Sequence, residues 1–194
     1  MLIWINGAFG AGKTTTAFEL QRRLPHSRVY DPENAGYFIR KNLPKALWEA
    51  DFQDHPLWRQ INLEMLRLLA KSEEHVIIPM TLVHRPYYNE IVQPLLEEGI
   101  HLHMILLLTE KVTLQHRLRK RFEGTDNWAL RQADRCLQAL QHDIPGCQLS
   151  TDHLTIEQVT EEIARHCGLT LLPDRRSPLR KNLDHIWISL QHIR

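Results

Sequence analysis

The residues best suited to chemistry stand near the start of the chain, at Gly7-Ala8-Phe9-Gly10-Ala11-Gly12-Lys13-Thr14. Their spacing is G-x-x-x-x-G-K-T, a phosphate-binding loop. Its glycines let the backbone curl so that N–H groups converge on an anion. Lys13 brings a positive charge to the β- and γ-phosphates, and the Thr14 hydroxyl suits Mg²⁺. Thr15 carries the loop into a helix, whose N-terminal dipole also faces the anion. A glycine-rich turn with an incidental lysine is the bland alternative. An apolar strand before the loop and an amphipathic helix behind it argue for a nucleoside triphosphate with Mg²⁺.

Phosphoryl transfer needs more than a loop. It needs cations around the transferred group and often a carboxylate near the attacking hydroxyl. The cations stand at Arg117, Arg119, Lys120 and Arg121, with Arg117 and Arg121 one i,i+4 step apart. Gly124-Thr125-Asp126-Asn127-Trp128 follows, and Arg131 and Arg135 form a second i,i+4 pair. Two such helices around a glycine-containing turn resemble a lid at about 117–135; a solvated basic face is the alternative.

The carboxylate candidate is Asp31 in Tyr30-Asp31-Pro32-Glu33, at the end of a predicted strand. That edge of an open α/β sheet faces the ligand crevice. Asp31 fits two compatible roles there, as proton acceptor or outer-sphere metal ligand, and as cap of the helix opened by Pro32. Asp51-Phe52-Gln53-Asp54-His55-Pro56-Leu57-Trp58-Arg59 mixes aromatic and polar groups. Phe52, Trp58 and Arg59 suit an amphipathic organic substrate, although Trp58 fits a core equally well. Thr81 and His84 follow the strand Val76–Pro79. Pro79-Met80-Thr81 holds no acid where a Walker B carboxylate is expected, so either Thr14, phosphates and water carry the metal, with Asp31 or another acid as a further ligand, or transfer is weak. His101 and His103 share a strand face without an evident third metal ligand.

The elements that must position these groups are readable. Candidate strands are Leu2–Asn6, Arg28–Tyr30, Val76–Pro79, Leu102–Leu108 and Gln148–Ser150, alternating with amphipathic helices. That alternation predicts βαβ units and a parallel sheet. Asp31-Pro32, His55-Pro56 and Arg85-Pro86 read as helix starts, Pro94 as a kink, Gly99 as a stop and Thr155–Gln158 as a capping box. Leu179, Leu183, Ile186, Leu190 and Ile193 form an apolar stripe on a C-terminal helix at about 177–194. The stripe fits packing on the domain, a partner subunit in a homo-oligomer, or a membrane surface.

The 194 residues carry a formal net charge of +1, which gives no sign of a nucleic-acid partner. Three cysteines without C-x-x-C spacing point to a reduced cytoplasmic protein. No apolar run reaches the ~20 residues of a membrane span. One domain over 1–194 is expected.

The segments IWINGAFGAGKTTTAFEL, YDPE, DFQDHPLWR, PMTLVHRPYYNE, RLRKR, DRC and TDHLTIEQV resemble the ATP-binding tunicamycin resistance protein family. The resemblance runs over nearly the whole chain. It implies the three-layer fold of the P-loop NTPases, in the form of small-molecule and nucleotide kinases. A five-stranded parallel sheet of order 2-3-1-4-5 would lie between helices. It also implies a catalytic part for Asp31 and an adenine contact at Thr151-Asp152-His153. The reading that follows is an ATP- and Mg²⁺-dependent phosphotransferase acting on a hydroxyl of a small nucleoside-like compound, tunicamycin among them. Lys13, Asp31, Arg117 and Arg121 would carry the transfer, and Asp31, Glu33, Arg131 and Arg135 would join Phe52, Trp58, Arg59, Thr81 and His84 around the substrate. The alternatives are a protein that sequesters the drug without chemistry and a nucleoside or nucleotide kinase.

Overall fold

A computed structural model describes residues 1–120 and 128–191. The five strands are β1 (Leu2–Gly7), β2 (Ser27–Val29), β3 (His75–Pro79), β4 (Leu102–Leu108) and β5 (Cys147–Ser150). They form one parallel sheet in the order β2-β3-β1-β4-β5, as expected. β1 lies centrally, with Ile3 opposite Ile77 on one side and His103 on the other. All six residues of β1 are buried. A strand covered on both faces must be apolar throughout, which is why Leu2-Ile3-Trp4-Ile5 runs without alternation.

The helices are α1 (Lys13–Arg23), α2 (Glu33–Asn42), α3 (Pro56–Leu69), α4 (Arg85–Glu97), α5 (Lys111–Lys120), α6 (Trp128–His142), α7 (Ile156–His166) and α8 (Pro178–Gln191). Successive β1 side chains point to opposite faces and seed two cores. Leu2 and Trp4 pack with Trp58 and Leu66 of α3 and Ile91 and Leu95 of α4. Ile3 and Ile5 pack with Ala17 and Leu20 of α1 and Val159 and Ile163 of α7. Each such large apolar side chain contributes roughly 1.5–3 kcal/mol by leaving water.

Two of the expected helix starts make their caps. His55 Nδ1 accepts from Leu57 N at 3.1 Å, and the Thr155–Gln158 capping box makes both its bonds, at 2.8 and 3.3 Å. Gly99 ends α4 at φ +74. Pro94 stands in the last turn of α4, which runs on to Glu97. The expected cap at Asp126 lies outside the described residues, as do Arg121, Gly124, Thr125 and Asn127; so do the side chains of Arg119, Lys120 and Trp128.

Of the three readings of the C-terminal stripe, its described residues do not fit packing on the domain. Leu179, Leu183 and Trp187 of α8 are 77%, 63% and 63% exposed. Charge holds the helix to α1 instead. Arg176 pairs with Glu19 and Asp184, each at 2.6 Å. Asp174 pairs with Arg22 at 2.9 Å and Lys181 at 3.2 Å. Burial raises the Glu19 carboxyl, but His185, Arg22 and Arg176 outweigh it and bring it down to about 2. The Ile186 and Leu190 side chains and Ile193 lie outside the described residues.

Candidate active site

The phosphate loop joins β1 to α1 and is built to receive an anion. Gly10 and Gly12 take φ +82 and +93, open to glycine at little cost. A Cβ on Gly10 would stand 3.1 Å from Leu118 of α5, and one on Gly12 3.4 Å from Ile156 of α7. The base of the expected lid and the loop after β5 therefore both pack on the phosphate loop. Gly12 is the N-cap of α1, which has no side-chain cap and no acidic residue in its first turn. The N-terminal N–H groups and dipole are thus left for a bound phosphate. Lys13 Nζ donates to Ala8 O at 3.1 Å and lies 5.5 Å from the Phe9 ring. Thr14 is half-buried in the first turn, while Thr15 is buried. These features fit a nucleoside triphosphate, and the Thr14 hydroxyl fits its Mg²⁺.

Asn6 decides where the loop sits. It is fully buried. Its Oδ1 accepts from Gly7 N at 2.8 Å and Leu82 N at 2.9 Å, and its Nδ2 donates to Leu82 O at 2.7 Å. Thr81 Oγ1 donates to Gly7 O at 2.9 Å, and Trp4 Nε1 donates to Met80 O at 3.1 Å. The acid-free segment after β3 is therefore a clamp on the phosphate loop. Its signal in the sequence is the one polar residue that ends an apolar strand before the first glycine.

Beside this clamp lies a pocket of about 110 Å³, lined by Phe9 of the phosphate loop, Asp51, Thr81, His84, Tyr87 and Arg135, among others. The Asp51 segment is held from several sides. Asp51 Oδ1 caps a 3-10 turn by accepting from Gln53 N at 3.0 Å. Gln53 Nε2 donates to Thr81 O at 3.2 Å, and Arg59 Nη1 donates to Gln53 O at 2.6 Å. Phe52 packs between Tyr37 and Trp58, with ring centroids 6.2 and 5.6 Å away. The ring presses so closely on α2 that a Cβ on Gly36 would lie 2.6 Å from Phe52 Cγ.

Burial, then Asp54, push the Asp51 carboxyl up; the Gln53 N–H and the charges of Arg135 and Arg40 oppose them. Tyr87 Oη donates to Asp54 Oδ1 at 2.7 Å. The Tyr87 hydroxyl is pushed up to about 12 by burial and by this bond.

The sequence-predicted residues divide. Thr81, His84, Arg135 and Phe9 line the pocket. Trp58 is wholly buried, and its Nε1 donates to Pro32 O at 2.9 Å, so it supports the site from behind. Arg59 pairs with Glu90 at 2.6 Å and lies over the Tyr87 ring at 4.4 Å. Asp31 stands just before Pro32, the N-cap of α2, and its Oδ1 accepts from Glu33 N at 3.0 Å, while Glu33 accepts from Tyr37 Oη at 3.2 Å. Asp152 accepts from Glu110 N at 3.0 and 3.1 Å and so fixes the start of α5. Arg117 donates to Thr151 O at 3.4 Å. Arg131 is exposed on α6. Asp51, Gln53, Asp54, Val83, Tyr87 and Cys136 also line the pocket and were not among the site residues expected from sequence.

The rings of His101 and His103 lie 4.7 Å apart, and that of His166 5.7 Å from His103. Among the described residues no group of three or more His, Cys, Asp or Glu could hold a metal ion.

Comparison with known proteins places this geometry. The structure is similar to that of the tunicamycin resistance protein of Deinococcus radiodurans, with 29% identity and a TM-score of 0.75 over 89% of this chain and 99% of that one. A gluconokinase from Sinorhizobium meliloti shares the fold at 17% identity and TM-score 0.60, over 86% and 93% of the two chains. The APS kinase CysC of Mycobacterium tuberculosis, in complex with AMPPNP and APS, shares it at 17% and 0.61, over 86% and 96%. No curated protein sequence matches. The sheet order and these neighbours make this the kinase-type P-loop NTPase fold, and the family model described as "AAA domain" matches residues 2–142. The chain belongs to the AAA domain family.

Proposed function

We propose that the protein is an ATP-dependent phosphotransferase acting on a hydroxyl of a small nucleoside-like compound, with tunicamycin as the first substrate to test. The observation that carries this reading is the pocket shared by Phe9 of the phosphate loop, Asp51 and Arg135. That shared lining supports a carboxylate and a cation near the terminal phosphate of a nucleotide held by the loop. The likeness to a tunicamycin resistance protein supports the choice of compound.

Gly7 through Thr15 hold the triphosphate through backbone N–H groups, with Lys13 turning from Ala8 O to the β- and γ-phosphates. Arg117 and Arg121 neutralise charge from the lid side, and Asp152 holds the adenine-side loop against α5. Bound Mg²⁺, held by Thr14, supplies further neutralisation of the phosphates. Asp31, Glu33, Phe52, Trp58, Arg59, Thr81, His84, Arg131 and Arg135 form and support the acceptor side. The acceptor oxygen bonds to the γ-phosphorus as the bond from that phosphorus to the β–γ bridging oxygen breaks; the electron pair stays on ADP and the hydroxyl proton passes to a carboxylate.

Incubation with Mg-ATP and tunicamycin, read by mass spectrometry, is expected to give a product heavier by one phosphoryl group. Recovery of unchanged drug from a protein shown to bind both compounds would favour sequestration instead. Robust transfer to common nucleosides would mark a housekeeping kinase.

A second reading concerns α8, whose Leu179, Leu183 and Trp187 face outward. Among the described residues, no helix is long and apolar enough to cross a membrane. We propose a peripheral contact of this cytoplasmic protein with a membrane surface through that stripe. Removal of 178–194 is expected to abolish sedimentation with anionic vesicles; unchanged sedimentation refutes the contact.

A further inference from the structure

We infer that Asp51, and not Asp31, is the proton acceptor of the transfer step, an assignment that rests on the phosphotransferase reading. Asp51 shares its pocket with Phe9 of the phosphate loop. Cys136 in the wall of that pocket feels the charges of Lys13, Arg135 and Asp51. Asp31 does not line this pocket, and one of its oxygens is committed to the start of α2.

Two carboxylates reach the pocket, and their surroundings differ. Asp54 is exposed and already accepts the Tyr87 hydroxyl at 2.7 Å. Asp51 is half-buried, and only its Oδ1 is used, by Gln53 N. No hydrogen bond to Asp51 Oδ2 is seen among the described residues, so that oxygen is open to an acceptor hydroxyl. Burial and Asp54 favour the protonated form, as a proton acceptor needs. The charges of Arg135 on α6 and Arg40 on α2 oppose that push without reversing it. The other titratable groups facing it are His84 and Tyr87 of the β3–α4 stretch and Cys136 of α6.

In the step, the hydroxyl proton of the acceptor moves to Asp51 Oδ2 as the acceptor oxygen bonds to the γ-phosphorus. The bond from that phosphorus to the β–γ bridging oxygen breaks, and the electron pair remains on ADP. The carboxylate arrives from the segment between α2 and α3, clamped onto Thr81 by Gln53.

The test compares Asp51→Asn with Asp31→Asn in the full chain. Asparagine keeps an Oδ1 for Gln53 N, so the turn survives while the proton acceptor is lost. Transfer to water, measured as ADP release from Mg-ATP without added acceptor, does not depend on the identity of the drug. Asp51→Asn is expected to lower both this rate and kcat for tunicamycin at least 100-fold, with the dissociation constant for a fluorescent ATP analogue unchanged within twofold. Asp31→Asn is expected to lower kcat by a smaller factor than Asp51→Asn does. Loss of ADP release in Asp51→Asn beside a wild type that never modifies tunicamycin supports the assignment and refutes the drug as substrate. Wild-type rates in Asp51→Asn, or a larger kcat loss in Asp31→Asn, overturn the assignment and leave the phosphotransferase reading standing.

Discussion

Replacing Asn6 by leucine tests whether the clamp between the phosphate loop and the β3 exit holds the site together. Leucine has nearly the same shape, so the change removes hydrogen bonds without opening a cavity. Three backbone groups lose their partner, namely Gly7 N, Leu82 N and Leu82 O, at 2.8, 2.9 and 2.7 Å from the Asn6 side chain. Asn6 and Leu82 are both 0% exposed, so water cannot replace the lost bonds. Each buried orphan costs about 1–3 kcal/mol, partly offset by the added apolar burial, for a net loss of about 3–5 kcal/mol. Thr81→Val removes one bond of the same clamp, to Gly7 O, and is expected to cost about 1–2 kcal/mol. Urea unfolding followed by far-UV circular dichroism reads both losses. Titration with an ATP analogue in the folded baseline should show affinity falling more for Asn6→Leu than for Thr81→Val. A loss below 1 kcal/mol for Asn6→Leu, with nucleotide affinity intact, would refute the clamp.

Two further outcomes follow from the same packing. The Glu19 carboxyl lies at about 2 in the fold against 4.5 when unperturbed. A depressed carboxylate contributes its stability above pH 4.5 and loses it as pH falls toward 2, here about 3 kcal/mol in full. Urea midpoints measured from pH 6 to pH 2.5 should fall steeply for the wild type and less for Glu19→Gln; equal slopes would show that the α1–α8 ion pairs contribute nothing. Gly36→Ala gains up to about 1 kcal/mol of helix propensity but drives a Cβ to 2.6 Å from Phe52, an overpacking cost of roughly 1–3 kcal/mol. The variant should melt lower and bind acceptor less tightly, because Phe52 adjoins Asp51; a raised melting temperature would show that the ring moves freely.

Much of this was legible in the residue order, for local reasons. A phosphate loop is contiguous, so G-x-x-x-x-G-K-T reveals the ligand class, the strand before it and the helix behind it. Helix ends are local too, and His55-Pro56 and Thr155–Gln158 make the caps their spacing implies. The sheet is parallel because apolar runs alternate with helices, although its order came from family likeness. Burial was less legible. Trp58 fitted both a core and a substrate wall, and only its placement under Pro32 O settled it. The α8 stripe fitted the domain, a partner subunit or a membrane surface, and only the structure shows Leu179 and Leu183 exposed while Glu19, Asp174 and Arg176 pair beside α1.

By itself the sequence determined the phosphate loop, the alternating architecture and the chemistry available at Lys13, Thr14, Asp31 and the arginines. Those properties depend on neighbours within a few positions along the chain. The tertiary structure alone decided which carboxylate shares a pocket with the loop. Asp51 meets Phe9, Thr81 and Arg135 only because Gln53, Arg59 and Phe52 anchor its turn on three different elements. Such convergence has no signature in spacing, since each contact spans a different length of chain and is set by how the layers pack.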